Sequence, residues 1–415
     1  MLEGKLIKFY REKEGFTQGE LVQGICSVTH LSKIERGITE YSGEITFLLS
    51  KRLKIDLETE VIRYNKLNEK LTEWHEAMIM QRTQEVEILK NEIEQETLKD
   101  LPDYLILYRL LLSKYYLFTN QLEKAKQLIF TLNKQEHSLP AYEQNLLKHV
   151  LGIYYFLSAQ FNDCIQILKS IDQTQYNHHE FYYHLAIAYH SIHSNITSYY
   201  YAEKALHYFR RTLNILRIID TETIMIAQLN AKELHDFEDT KRKYDSLLKL
   251  CDACKAQDRK AKLYHNLAFE HSRRKLYREA SDIYQTAMRL ITTENPHYLT
   301  TFESYLSACH KGKLLPETEL ISLAKEGLQL CKKRNDRRFV DFQLLLYLFQ
   351  KQEIRYYQYI ESTALNHFRD SGYNILVDHY EKKLFHYFLK HNETEKALNL
   401  AESLLKGKRS FYDYE

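Results

Sequence analysis

Thr29, His30, Ser32, Lys33 and Arg36 fall within eight residues of one another. Together they supply hydroxyl, imidazole, ammonium and guanidinium groups, the set that hydrogen-bonds base edges and neutralises phosphates. Other chemically suggestive groups are less complete. Cys251 and Cys254, in CDAC, have redox-motif spacing, but no strand-to-helix context surrounds them and no second pair completes a zinc site. They read as packed thiols. The run HHEFYYHLAIAYHSIH concentrates His178, His179, His184, His190 and His193, with Glu180 four residues before His184. Three convergent ligands are not evident in it, so no metal site is assigned. No phosphate-binding glycine loop, metalloprotease pair or nucleophile elbow occurs, so no catalytic residue and no cofactor are expected.

The elements that must position the first cluster can be read locally. Leu2, Leu6, Ile7 and Tyr10 recur at helical spacing, and Gly15 is placed to end that helix. Thr17 and Glu20 form a capping-box pair that starts a second helix at Gln18, with Leu21 and Ile25 as its buried face and Cys26 in the turn. A third helix runs from about Val28 to Arg36 before Gly37 stops it. At about 100° per residue, Val28, Leu31, Ile34 and Glu35 share one side, whereas Thr29, Lys33 and Arg36 project from the other, flanked by Ser32 and His30. An acidic residue on the packing side needs a partner, and Arg11 is the candidate. Ser42 caps a fourth helix whose Ile45, Leu48, Leu49 and Leu53 are expected to close a small core.

On Arg11, Thr17, Gln18, Leu21, Ser32, Ile34, Glu35 and Gly37, this stretch resembles the Cro/C1-type helix-turn-helix of the lambda-repressor superfamily, over roughly the first 55 residues. The resemblance implies a third helix entering the major groove, Gln18 near a phosphate, and a structural Arg11–Glu35 pair. The implied DNA contacts are Thr17, Gln18, Ser27, Thr29, His30, Ser32, Lys33 and Arg36. Leu21 to Leu31 is one residue shorter than the commonest form, and Tyr41 stands where a proline is usual. A shortened turn containing Ile25 and Cys26 is similar to that of peptide-pheromone regulators. Residues 1 to 60 hold nine Lys or Arg against ten Asp or Glu, so one copy should bind DNA weakly. Affinity would come from two linked copies on a palindromic operator. The bland alternative is a helix-turn-helix used for protein contacts.

Composition bounds the rest. The chain has 415 residues, 44% hydrophobic content, 11 glycines and 4 prolines, and neither glycine nor proline falls between Gly43 and Pro102. Sheet corners and hairpin turns have little to be built from, which implies an all-α protein. The net charge of +2 excludes bulk attraction to nucleic acid. The N-terminus lacks the apolar run of a signal peptide, no stretch reaches membrane-spanning length, and six cysteines form no dense framework, so a cytoplasmic protein with reduced thiols is expected. A small residue followed four positions later by a larger one recurs at Ala125, Cys164, Ala202, Thr240, Ala280, Ala324 and Ala364, and Ala397 with Ala401 continues the series, at spacings of 33 to 44 residues. Twelve residues before several of these stands another small residue: Ser113, Gly152 or Ala268. This is similar to the tetratricopeptide repeat, loosened in length, and predicts eight helical hairpins stacked as a right-handed superhelix.

A reader joined to such an array resembles the RRNPP family, in its NprR/PlcR-like branch, whose arrays bind short imported signalling peptides. The expected layout is a DNA-binding domain at 1–57, connector helices at 58–100, a repeat domain for peptide binding and oligomerisation at 101–407, and a tail at 408–415. The resemblance implies an asparagine that holds the peptide backbone, and Asn266 matches it. Inner-face spacing adds His265, Phe269, Ser272 and Arg273, with Tyr183, Ile187 and His190 two repeats earlier. The expected function is a quorum-sensing transcriptional regulator, switched by peptide and acting as a dimer or a peptide-bound tetramer. The alternative is a Rap-like adaptor that sequesters or dephosphorylates a response regulator. For that role Gln81, Gln84 and Gln95 are available in the connector, though none sits in a matching motif.

Overall fold

A computed structural model describes residues 2–38, 42–230, 236–371 and 374–406. Tyr41 and the expected tail at 408–415 lie outside the described residues. Among those described every regular element is helical. The chain divides into two compact units, residues 1–158 with 163–181, and residues 159–162 with 182–415. No helix of the described residues is long and apolar enough to cross a membrane.

The chain begins with four short helices, α1 (Leu2–Lys13), α2 (Gln18–Val22), α3 (Val28–Glu35) and α4 (Gly43–Leu53). Then come α5 (Leu57–Met80), α6 (Thr83–Gln95), α7 (Pro102–Phe118), α8 (Leu122–Asn133), α9 (Ala141–Leu157) and α10 (Phe161–Lys169). The array continues with α11 (Phe181–Ser191), α12 (Asn195–Arg211), α13 (Ile215–Leu229), α14 (Phe237–Ala253), α15 (Gln257–Arg273) and α16 (Tyr277–Arg289). It ends with α17 (Tyr298–Gly312), α18 (Glu317–Arg334), α19 (Phe339–Phe349), α20 (Glu353–Tyr359), α21 (Leu365–Asp370), α22 (Asn374–Lys390) and α23 (Thr394–Lys406), a π-helical turn at Ile360–Ala364 joining α20 to α21.

From α7 onward the helices pair as hairpins, and the recurring small residues explain how. Ala125, Cys164, Ala202, Thr240, Ala280, Ala324 and Ala364 are fully buried, which lets each second helix sit close against the first of its pair. Gly152 shows how close: a Cβ there would lie 2.3 Å from a Leu168 side-chain carbon. The core of the second unit passes from cluster to cluster, through Ile219, Tyr244 and Leu263, then Tyr284, Phe302 and Leu306, then Val340, Ile360 and Phe368. Glycine is scarce because other residues make the turns. Gln81, Asn120, Lys255, Lys275, Lys313, Asn335 and Lys351 all adopt φ between 49° and 65°, at a cost of about 1–2 kcal/mol each for an L-residue. Capping bonds such as Gln81 N–H to the Met78 carbonyl offset that cost.

In the first unit the connector is a hairpin of its own, α5 against α6, with the Trp74 indole N–H on the Val86 carbonyl at 3.1 Å. Polar networks hold α5 near both ends. At the reader, the Tyr10 hydroxyl donates to Glu60 at 2.5 Å, and Arg63 bonds Glu60 at 2.7 Å and Glu96 at 2.6 Å. Farther along, buried Lys114 of α7 donates to Glu180 at 2.8 Å and lies 3.1 Å from His75 Nε2. Burial, then the Lys114 charge, holds the His75 imidazole well below its usual range. It is therefore neutral, accepts at Nε2 and presents Nδ1–H to the Tyr142 hydroxyl at 3.3 Å.

Candidate functional site

The reader is built as the capping signals require. Thr17 accepts from the Glu20 amide while the Glu20 carboxylate accepts from the Thr17 amide, and Ser27 Oγ accepts from the His30 amide at the start of α3. Gly15 and Gly37 take φ of 74° and 69° to end α1 and α3. The core is Leu6, Ile7, Leu21, Leu31, Ile34 and Leu49, all fully buried. α1 crosses α3 so closely that a Cβ on Gly4 would fall 2.1 Å from the Ile34 carbonyl oxygen.

Several sequence assignments shift. Val28 is exposed rather than packed, because it opens α3 at the domain edge. Ile25 lies beyond the end of α2 and is half-buried, its expected place taken by Val22. Leu48 is exposed and Ile45 half-buried; α4 instead packs Thr46, Leu49, Ser50 and Leu53, a rotation of the expected face.

Arg11 grips Glu35 at both carboxylate oxygens, Nε to Oε1 at 2.5 Å and Nη2 to Oε2 at 3.1 Å, and donates to the Phe16 carbonyl at 3.0 Å. The expected pair is thus a buried bidentate one. Gln18 Nε2 donates to the same carboxylate at 2.8 Å. That contact was not legible in the sequence, and it binds the amide nitrogen expected near a phosphate into the reader's core. Arg52, also missed, donates to the Leu21 carbonyl at 2.7 Å and closes the end of α2. Thr17, Ser27, Thr29, Lys33 and Arg36 are exposed, and Ser32 is half-buried. His30 is half-buried, with Nε2 turned out of solvent and unbonded.

The second unit carries the expected groove residues on its first-of-pair helices. On α15, Phe269 is 50% exposed. Asn266 and Ser272 share that face, half-buried; the Asn266 side chain makes no hydrogen bond among the described residues. His265 stacks near Tyr284 at 5.5 Å, and burial, then the charges of His297, Arg338 and Lys262, pushes its imidazole down to about 4. Arg273 is spoken for: it donates to the Asn230 carbonyl at 2.5 Å, tying α15 to the end of α13. Tyr183 of α11 lies under the Arg217 guanidinium at 4.3 Å, and burial pushes its phenol up to about 12. Ile187 is half-buried, and exposed His190 meets Gln228 Nε2 at 2.7 Å. Sequence reading did not single out Gln228. The spacing from His190 to Gln228, 38 residues, repeats from Gln228 to Asn266, so the signal was present.

Glu180 is taken by Lys114, and His178 stacks on His75 at 4.4 Å. Cys251 is buried on α14 with its thiol pushed up to about 12 by burial, and Cys254 lies 3.8 Å from the Cys251 carbonyl; both are free thiols.

No family model matches the chain. Its sequence is similar to the transcriptional activator NprA of Geobacillus stearothermophilus, 21% identical over 402 residues that cover 92% of this chain and 93% of that protein. The fold is similar to the apo form of the quorum sensor NprR from B. thuringiensis, at 19% identity and a TM-score of 0.65 over 85% of this chain and 99% of that one. A Rap protein complexed with Competence and Sporulation Factor gives a TM-score of 0.65 at 18% identity, over 82% of this chain and 97% of that one. NprR in complex with its cognate peptide NprX gives 0.63 at 19%, over 82% and 98%. At these identities the structural likeness establishes the shared helical-repeat fold.

Proposed function

We propose that this chain, a member of the RRNPP family, is a transcription regulator that reads DNA through α3 and is switched by a short peptide held against α11, α13 and α15. It acts without catalysis, in the cytoplasm, on a palindromic operator occupied by two linked readers. The observation that carries the reading is the division of labour on α3. Glu35 faces inward and is satisfied by Arg11 and Gln18, while Thr29, Lys33 and Arg36 face outward and are exposed. A helix used only for internal packing has no need of that outward set. In support, the named sequence relative is a transcriptional activator, and two of the similar solved proteins hold a cognate peptide or Competence and Sporulation Factor.

The test is selection of fragmented host genomic DNA on the full-length protein, followed by sequencing, beside a Thr29→Ala/Lys33→Ala variant. A palindromic motif enriched by the parent and lost in the variant is the expected result. No enrichment by either protein leaves a reader that is locked until peptide arrives, or the response-regulator adaptor, which draws on the equal likeness to the Rap protein; no enrichment once a peptide that the protein retains is added sinks the DNA reading.

A further inference from the structure

The reader is tied to more than the helix that follows it in sequence. Residues 1–158 fall in one compact unit, which takes in the reader, the connector hairpin and the first repeat hairpin. The covalent joint is short. α4 ends at Leu53 and α5 begins at Leu57, and the Ile55 N–H donates to the Ser50 carbonyl at 3.0 Å between them.

Two further ties leave α1. Lys5 Nζ donates to Asp103 Oδ2 at 2.7 Å, and Asp103 stands in the first turn of α7, where the repeats begin. The same oxygen accepts from the Tyr64 hydroxyl of α5 at 3.0 Å, so one carboxylate joins reader, connector and repeat. The Tyr64 ring lies 4.6 Å from that of Tyr104, whose hydroxyl donates to the Tyr64 carbonyl at 3.1 Å. Farther along α1 is the Tyr10–Glu60 bond, which Arg63 carries on to Glu96 at the end of α6. Tyr10 and Glu60 are each 7% exposed, so water competes little for that bond. The Lys5 and Asp103 side chains are 54% and 27% exposed, and such a pair adds little stability alone. Its effect is on orientation: one tie leaves a helix free to swing, and a second tie to a different helix removes that freedom. The reading helix follows, because α1 packs on α3 at Gly4, the residue beside Lys5.

Resting on the DNA reading above, we propose that Asp103 and Glu60 are positioning residues for operator spacing, holding reader and first repeat as one body so that two linked readers engage half-sites at one separation only. One added base pair turns the second half-site by about 35° and moves it by about 3.4 Å. A reader on a loose joint absorbs both changes; a reader held at two points does not.

The experiment measures retention, by the full-length protein, of duplexes carrying the motif it selects, with the half-site separation unchanged or altered by one or two base pairs. The parent is set beside Tyr10→Phe/Asp103→Ala, which removes both ties and keeps an aromatic ring in the reader core. The readout is the ratio between spacings, which a uniform change in affinity leaves alone. One base pair either way is expected to cost the parent about a hundredfold or more, the gain that engaging both sites supplies, and to cost the variant less than about tenfold. A parent indifferent to spacing overturns the proposal and leaves the DNA reading standing. A variant with the parental ratios overturns it too, as does one that retains no duplex at all, which makes the ties necessary to the fold of the reader. A parent that selects no palindromic motif, with peptide or without, overturns both.

Discussion

Gln18 Nε2 donates to Glu35 Oε2 at 2.8 Å across 17 residues of chain, so the carboxylate that Arg11 grips from α1 is also held from α2. Three helices of the reader meet on one buried acid, and the acid's job is assembly. Gln18→Ala should lower the stability of α1 to α3 by about 1.5–3 kcal/mol, the range for a hydrogen bond to a charged group. Arg11→Ala, which strands the buried carboxylate, should cost about 3–5 kcal/mol. Hydrogen exchange of the α1–α3 amides reads both. A Gln18→Ala reader as stable as the parent would contradict this placement.

Lys33 belongs to the other class. It is exposed on α3, so Lys33→Ala should leave reader stability within about 0.5 kcal/mol. It should also reduce the slope of log affinity against log salt by about one, as expected for one lost phosphate contact. Gln18→Ala should leave that slope alone. Salt titrations of both variants on a selected duplex separate the two roles.

Lys114 and Glu180 form an ion pair with side chains 5% and 2% exposed. Lys114→Ala or Glu180→Ala alone should cost about 3–5 kcal/mol, because each leaves an uncompensated buried charge. The double replacement Lys114→Met/Glu180→Leu should recover most of that loss. Chemical denaturation of the three variants checks it; a double variant no better than the singles would mean that the pair's surroundings cannot accept apolar groups.

Asp341 of α19 makes no hydrogen bond or ion pair through its carboxylate among the described residues. Burial, then the Glu303 carboxylate, raises it from its ordinary 3.8 to about 7, with Arg338 opposing. A carboxyl raised on folding gives its full stability below its unfolded value and loses it as pH rises through about 7. Asp341→Asn should therefore raise the Tm at pH 8 and leave it nearly unchanged at pH 4. Equal shifts at the two pH values would show that Asp341 is ionised throughout.

The reader's helices were legible because capping signals are local: Thr17 with Glu20, Ser42 and Gly37 each act within four residues of chain. The repeats were legible because small residues recur where helices must approach. The face of α4 was not, since Ile45, Phe47, Leu48 and Leu49 place apolar groups all round it, and only the packing against α1 and α2 selects one side. The connector hairpin stayed hidden because Gln81, not glycine, makes its turn. Gln18, Gln228 and the Lys114–Glu180 pair depend on side-chain directions across 17, 38 and 66 residues, which periodicity does not encode. Arg273 faces the expected side but ends on a backbone carbonyl for the same reason.

The central claim is that a peptide on the α11–α15 face governs reading by α3. The most direct measurement is the amount of a selected operator duplex retained by the full-length protein, titrated with a heptapeptide that the protein retains from a synthetic library, beside Asn266→Ala. The account predicts at least a severalfold change in retention for the parent, saturating with peptide, and none for the variant. Peptide that binds the parent while DNA retention stays constant across the titration would contradict it.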